Sequence, residues 1–599
     1  MNKAFKAIWS DVRQSFVTTS EIQSSHGKRS KASVSLSVAT VLLATSGLVS
    51  AAYVETGTLG DKASWETAEY NYNWGLGAMN ASSAYALGFY GQNTTTGVMD
   101  SGAWLGNPDL DTPRITATHV TGVYGSSGNR YPQSIYATIQ KGVVPTAAEG
   151  QPFTEGEEFD VKGDYTLGLN DAHGTQVTGV IGAERNGEYG HGVAFKANVV
   201  VGNTGATDNN NYGPFQDYNY YFKGYKALAD AVNAGNGEYR GGMVNNSYGT
   251  NTKIYSSGGH RLTPDEMSEL LAGSGNYDGA SAAYAVTFSG DYSFLGLNDV
   301  PGADQYSTNP SAFEWEYMYF KLKYGDKPSF LDGAYDAVKG TNVILSWAAG
   351  NQDRGTPYLK GLYPYFHPEA EKNWLNAVGV MQTRGDNDQY MQATYCKAGL
   401  AKWWSMSGPT AYPGIGTTYV TTDLENGRLT TTGFNGTSAS DPQISGAFTV
   451  LQSRYPSMTA IQVKDVMYTT ASHIGANGQP FTNWTAAEGT PDVIYGWGMP
   501  DLEKGMYGPG QFLDHFEYRL SEPLDVWSND ITEAGLQQRE KEDKAWMTAT
   551  KNGTDPDAGG EYTLGDDIVV LDGNLDFYDN TVSPEQAKKW RAEYYAARA

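Results

Sequence analysis

Residues 331–351 read LDGAYDAVKGTNVILSWAAGN, a helical pattern over 331–339 followed by a continuous apolar run over 342–349. Such a short apolar run after a turn is typical of a buried strand. Further candidate strands lie at 97–100, 198–201, 242–246 and 376–381, and further candidate helices at 222–234 and 313–324. This alternation, from about residue 72 to 510, predicts an α/β fold with a mostly parallel central sheet and helices on both faces. In such sheets, functional groups collect at the carboxyl ends of the strands.

Long stretches rich in Gly, Asn, Ser, Tyr and Asp interrupt this alternation at 121–166, 203–218 and 250–310. They show no strong periodicity, so we expect long surface insertions. After residue 510 the sequence becomes a charged, less regular tail. The sequence thus predicts one large α/β domain with insertions, followed by a segment of different character.

The composition excludes several classes of protein. The 599 residues include 41 Lys and Arg against 66 Asp and Glu, a net charge of −25. So acidic a chain repels phosphate backbones, and we expect no nucleic-acid partner. The single cysteine, Cys396, can close no intrachain disulfide and form no thiolate metal site, so we expect a small buried apolar residue. The chain has no HExxH string, and we expect chemistry without a metal or organic cofactor.

Residues 1–52 are predicted to be an extended signal peptide. Basic side chains dominate residues 1–31, an apolar run follows at 32–49, and the small residues around Ala51 and Ala52 fit a cleavage site. Polar residues within the apolar run argue against the alternative, a retained membrane anchor. A short N-terminal segment at 53–71 precedes the predicted α/β domain.

Two polar residues lie where they could take part in catalysis. Asp100 ends the apolar strand of GVMDSG (97–102), where it could orient a histidine, although Asp-Ser-Gly is also ordinary turn chemistry. His173 begins HGTQVTGVI, whose apolar residues follow helical spacing. The helix dipole favours a neutral, base-competent imidazole there, and Gly174 allows close approach of another backbone. The alternative for His173 is a polar helix cap.

A serine at a second helix start completes a possible set of three residues. Ser438 lies in GTSASDP (436–442), ahead of apolar residues at helical spacing. We expect its hydroxyl to be exposed and its backbone N–H to be available to an oxyanion. A simple N-cap is the alternative.

The segments VMDSG, HGTQVTGVI and GTSASDPQISG, in this order, resemble the signature segments of the subtilisin-like serine peptidases. The resemblance implies a subtilisin-like fold and a serine endopeptidase in which Asp100 orients His173, His173 acts as the base and Ser438 as the nucleophile. A fourth segment, AAGN, ends at Asn351, which the resemblance makes the side-chain donor to the oxyanion. The familiar GTSMASPHVAG helix differs here at several positions, among them Ala439, Ser440 and Gln443, and none of these three changes removes a catalytic atom.

The segment VNNSYG (244–249) resembles the family's substrate-binding edge. The resemblance implies that Ser247, Tyr248 and Gly249 bind an extended peptide as an added strand, so that protein or peptide substrates are the expected partners. An edge strand with no ligand is the alternative. Structural calcium at Asp109 and Asp111 is conceivable, but we expect a surface turn there.

The chain's opening residues, together with YGWGMP (495–500), DVWSNDI (525–531) and KWRAEYY (589–595), resemble the bacterial type V autotransporter branch. This implies export through the periplasm to the surface or exterior of a Gram-negative bacterium. The expected organisation is a peptidase domain at 72–510 and a post-catalytic segment at 511–599. Because 511–599 is too short and charged for a membrane β-barrel, we expect a passenger stalk and a translocator beyond this sequence. The competing function is an inactive adhesion or binding module on the same scaffold.

Overall fold

The structure is a computed structural model in two compact units, Met1–Ala52 and Tyr53–Ala599. In the first unit it describes only Phe5–Ser10, which pairs antiparallel with Ser15–Ser20. In the second it describes residues 57–507 and two short paired strands, Val570–Leu571 and Phe577–Tyr578. The gaps within 57–507 are 130–151, 165–172, 188–189, 205–216, 249–252, 255–285, 288–327, 352–354, 383–389, 393–394, 411–418, 424–429, 477 and 488–489. The predicted apolar signal region, its cleavage site, the predicted helix 313–324 and the segments 525–531 and 589–595 lie outside the described residues.

An eight-stranded sheet organises the large unit. Its strands are β1 Thr95–Asp100, β2 Ile115–Ala117, β3 Asn198–Asn203, β4 Gly242–Asn246, β5 Val343–Ala348, β6 Trp374–Gln382, β7 Tyr390–Gln392 and β8 Ser405–Pro409. Their spatial order is β7-β6-β5-β4-β1-β3-β2, with β8 also paired to β6. All described pairings in the sheet are parallel except that of β6 with β7, which confirms the predicted mostly parallel sheet.

Short antiparallel ribbons account for the remaining described strands. They join His119–Val123 to Glu158–Lys162, Gly128–Asn129 to Pro152–Phe153, Lys253–Ile254 to Val286–Thr287, and Tyr419–Asp423 to Thr430–Phe434. Two of these ribbons fall within the predicted insertion 121–166 or at its start. The other two predicted insertions lie mostly outside the described residues.

Helices cover both faces of the sheet. The α-helices are α1 Ala68–Tyr72, α2 Trp74–Ala78, α3 Ala81–Ala86, α4 His173–Gly182, α5 Tyr218–Asn236, α6 Phe330–Val338, α7 Leu359–Phe366, α8 Thr437–Arg454, α9 Ala460–Thr469 and α10 Leu502–Gly505. Short 3-10 helices span Lys62–Trp65, Pro368–Asn373 and Gly399–Trp404. Among the described residues, no helix is long and apolar enough to cross a membrane.

Alternation along the strands sends neighbouring side chains to opposite faces. In β5, Leu345 packs into a cluster with residues of α5 and α6, whereas Ile344 packs into a second cluster with residues of α8 and α9. The second cluster also holds Trp65 and Tyr70, so the chain before residue 72 shares this core. Strands buried on both faces explain why the sequence shows continuous apolar runs rather than alternation.

Helix α8 passes through the middle of the unit. Nearly all its side chains are buried, including Ile444 and Phe448, and it packs against β4, β5, β6 and β8. It begins after Gly436, whose φ of +83° suits glycine, and no side chain caps it. The Thr437 N–H instead donates to Asn351 Oδ1, and the N–H groups of Ala439 and Ser440 donate to the Gly436 carbonyl oxygen.

Candidate active site

The carboxyl ends of the parallel strands bring four of the predicted site residues to one edge of the sheet. Asp100 is the last residue of β1, Ser247 directly follows β4, and Asn351 follows β5 by three residues. Helix α8 delivers Ser438 against the same strands. These four residues therefore lie at the edge of the sheet where the α/β pattern predicts functional groups.

Asp100 and His173 form a hydrogen-bonded pair. His173 Nδ1 lies 2.8 Å from Asp100 Oδ1, which also accepts the Ser101 N–H at 2.8 Å. The carboxyl group is buried, with the Asp100 side chain 1% exposed, whereas His173 is partly exposed. A buried carboxylate on Nδ1 favours the imidazole tautomer that carries its proton there, leaving Nε2 as the acceptor.

The turn after β1 fixes the start of α4. The Gly174 N–H donates to Ser101 Oγ at 3.0 Å. A Cβ on Gly174 would lie 2.0 Å from the Gly102 carbonyl oxygen, so this position tolerates only glycine. The His173 ring also packs edge-on against Phe434, with ring centroids 5.4 Å apart. The close backbone approach predicted for Gly174 is therefore confirmed.

Ser438 occupies the first turn of α8, as expected, but its hydroxyl is not exposed. The residue is 8% exposed, and its Oγ donates to the Ser247 carbonyl oxygen at 2.6 Å. The expectation of an exposed hydroxyl is wrong because the ends of β4 and β5 cover the start of the helix. Since a hydroxyl has one proton, Ser438 cannot donate to the Ser247 carbonyl oxygen and to His173 at the same time.

Asn351 is clamped to the residue before the serine. Its Oδ1 accepts both the N–H and the hydroxyl of Thr437, each at 2.9 Å, and the Thr437 hydroxyl accepts the Gly350 N–H at 3.1 Å. These two donors fix which end of the amide is oxygen, so Nδ2 points away from Thr437. Among the described residues, neither this Nδ2 nor the Ser438 N–H has a hydrogen-bond partner. The Asn351 Nδ2 and the Ser438 N–H lie on neighbouring segments, since Asn351 is bonded to Thr437.

The predicted substrate-binding segment follows a central strand. Its strand, β4, pairs with β5 on one side and β1 on the other, so it is not the edge strand that the alternative assumed. Ser247 and Tyr248 are buried, and the Tyr248 hydroxyl lies 2.6 Å from that of Tyr225. The Lys360 Nζ sits 4.1 Å from the centre of the Tyr248 ring. Gly249 lies outside the described residues.

Sequence reasoning missed Asp441, a fully buried carboxyl group on the same helix as Ser438. Burial raises its pKa from 3.8 to about 7, and the charge of Asp100 adds to this increase. Hydrogen bonds from Ser346, Asn246 and Ser247 act in the opposite direction. The signal was present in the sequence, because an aspartate inside the predicted buried helix of GTSASDP requires buried partners.

The described residues contain no cluster of His, Cys, Asp and Glu that could hold a metal ion. Asp109, expected in a surface turn, is instead buried: its Oδ1 accepts from Asn186 Nδ2 at 3.1 Å and its carbonyl oxygen accepts the Glu184 N–H. Asp111 is exposed. Cys396 is a buried free thiol, as predicted.

Two parts of the chain match known protein families. Residues 91–498 match the subtilase family, and residues 1–50 match the extended signal peptide of the type V secretion system. The second match confirms the predicted export signal and the expected export to the surface or exterior of a Gram-negative bacterium.

Three curated relatives are similar to parts of the chain. An "Extracellular serine protease" of Serratia marcescens is 25% identical over 482 residues, covering 77% of this chain and 36% of that protein. The "Serotype-specific antigen 1" of Mannheimia haemolytica is 32% identical over 195 residues, covering 32% of this chain and 19% of that protein. The "Neisserial autotransporter lipoprotein NalP" of Neisseria meningitidis is 22% identical over 277 residues, covering 44% and 22%.

The chain thus spans about a third or less of the length of these relatives. The family match, in contrast, covers more than half of the chain and includes all four signature segments. On that match, the protein belongs to the subtilase family of peptidases.

Proposed function

We propose that the protein is an exported serine endopeptidase that hydrolyses peptide bonds through Asp100, His173 and Ser438. The observation that carries the proposal is the 2.8 Å contact between His173 Nδ1 and the buried Asp100 carboxylate. A polar surface histidine does not need such a partner, whereas a general base that becomes a cation during the reaction does.

In the proposed mechanism, Ser438 Oγ leaves the Ser247 carbonyl oxygen and attacks the scissile carbonyl carbon. His173 Nε2 accepts the hydroxyl proton and returns it to the leaving amine, and Asp100 stabilises the imidazolium in between. Water then hydrolyses the acyl-enzyme by the same proton transfers in the reverse roles.

The oxyanion would be held by the Ser438 N–H and Asn351 Nδ2. Both donors are unpaired among the described residues, and Thr437 holds the amide of Asn351 in a fixed orientation. Donors that need no reorganisation as charge develops are the most effective electrostatic catalysts. The Ser247 carbonyl oxygen, released when Ser438 rotates, would accept a backbone N–H of the peptide substrate. We propose Tyr248 and Gly249 as the rest of that binding segment.

Cleavage of an unfolded protein substrate tests the proposal. We expect the wild-type protein to cleave casein, and Ser438→Ala and His173→Ala to lose activity by at least about 10³-fold while keeping the wild-type melting temperature. Asp336→Asn, at a surface carboxylate bonded to Tyr218, is the matched control and retains full activity. A folded wild-type protein that cleaves nothing would instead support the adhesion or binding module.

A further inference from the structure

The carboxyl group of Asp441 is fully buried, and the proposed catalytic roles do not use it. It lies three residues after Ser438 on α8, so the two side chains are close neighbours along the helix. In the familiar GTSMASPHVAG segment, the residue at this place is serine. Aspartate is almost never fully buried without partners, so its contacts should reveal what it does.

Both carboxylate oxygens of Asp441 are bonded, and the two donors come from different strands. Oδ1 accepts the hydroxyl of Ser346 in β5, and Oδ2 accepts the N–H of Asn246, the last residue of β4, at 3.2 Å. The strands β4 and β5 are adjacent and parallel. One carboxyl group therefore joins α8 to two strands near the point where both end.

The same two strands lead directly to the groups that contact Ser438 and its neighbour. Ser247, one residue beyond β4, accepts the Ser438 hydroxyl at 2.6 Å. Asn351, just beyond β5, accepts two hydrogen bonds from Thr437. The position of each strand end relative to α8 thus decides the geometry of these contacts.

We propose that Asp441 is a positioning residue for peptide-bond hydrolysis: its carboxyl group fixes the first turns of α8 against the ends of β4 and β5. This inference rests on the proposed function. A serine at this position has a shorter side chain with one oxygen atom, whereas the carboxyl group of Asp441 offers a separate oxygen to each strand.

The charge of Asp441 supplies a readout that a purely structural residue would lack. The pKa of Asp441 is raised to about 7, so the wild-type protein carries this negative charge, in the field of Asp100, only above about pH 7. Ionisation of Asp441 therefore adds a step near pH 7 to the kcat/KM profile of the wild type, and replacing the carboxyl group removes that step. Among the described residues, the titratable groups that interact electrostatically with Asp441 are Asp100, at the end of β1, and Tyr225 on α5.

The experiment compares kcat and KM from pH 5 to 9 for the full chain and for Asp441→Asn, with a peptide substrate. We expect kcat to fall about tenfold with KM changed less than about twofold, because positioning acts in the transition state. We also expect the wild-type kcat/KM profile to contain a step near pH 7 that Asp441→Asn lacks.

Asp492→Asn is the matched control. Asp492 is also buried, and it accepts backbone N–H groups of Thr485, Ala486 and Ile494 within its own loop. This variant should lose thermal stability yet keep the wild-type pH profile.

Two further variants keep the test decisive if Asp441→Asn does not fold. Asp441→Ser restores the residue of the familiar segment and should also lack the step near pH 7. Ser346→Ala removes one of the two strand contacts and should lower kcat but keep that step. Profiles of a folded Asp441 variant that superimpose on those of the wild type, with kcat within twofold, overturn the inference. A wild-type protein that neither cleaves peptide nor reacts with a fluorophosphonate overturns the proposed function first, and the two failures are thereby distinguished.

Discussion

Replacing Gly174 with alanine tests how tightly the fold holds His173. The new Cβ would lie 2.0 Å from the Gly102 carbonyl oxygen, whereas non-bonded atoms of this kind settle roughly 3.5 Å apart. Even with partial relaxation on both sides, the start of α4 must move away from the β1 turn by about 1 Å. This movement acts directly on the 2.8 Å contact between His173 and Asp100 and on the bond from the Gly174 N–H to Ser101.

A misplacement of about 1 Å costs on the order of 10²-fold in rate, or about 2.7 kcal/mol. We therefore expect kcat/KM of Gly174→Ala to fall about 100-fold in a peptide hydrolysis assay. Gly77→Ala is the control, since no atom lies within 4 Å of its new Cβ, and it should keep wild-type activity. A folded Gly174→Ala protein with kcat/KM within threefold of the wild type would refute this reasoning.

Three further substitutions give separate expected outcomes. Asn351→Ala should lower kcat by about 10²- to 10³-fold with little change in KM, because it removes a donor that acts on the oxyanion alone; an unchanged kcat would exclude that role. The pKa of Asp441 is raised from 3.8 to about 7 in the folded protein, so the folded state binds this proton more tightly than the unfolded state does. The free energy of unfolding should accordingly fall by roughly 4 kcal/mol between about pH 4 and pH 7, and urea titrations of Asp441→Asn should lack that fall. Lys464→Met should lower the free energy of unfolding by about 3 kcal/mol or more, since the buried Nζ donates to the carbonyl oxygens of Glu371, Lys372 and Trp374; urea denaturation with a loss under 1 kcal/mol would contradict this.

The central sheet could be predicted from the sequence because its strands are buried on both faces. The predicted strand 242–246 coincides with β4, and the predicted strand 342–349 differs from β5, Val343–Ala348, by one residue at each end. The strand β8, Ser405–Pro409, was not predicted, since its serines and glycine interrupt any apolar run. Those small residues are needed there, because a Cβ on Gly408 would lie 2.3 Å from the Ser440 carbonyl oxygen of α8.

The site could be predicted only in part. Asp100 and His173 lie at a strand end and a helix start, positions that periodicity reveals, and the structure brings them into contact. The burial of Ser438 could not be predicted, since it depends on Ser247, nearly 200 residues away in sequence. The buried state of Asp441 likewise arises from Ser346 and Asn246, which sequence spacing does not connect to it.

Peptide mapping by tandem mass spectrometry, after reaction with a fluorophosphonate, tests the central claim most directly. The account predicts a single phosphonyl adduct on the Ser438 hydroxyl, formed by the wild-type chain and at least about 10³-fold more slowly by His173→Ala. A folded wild-type chain that forms no adduct, or one modified at another serine, would contradict it.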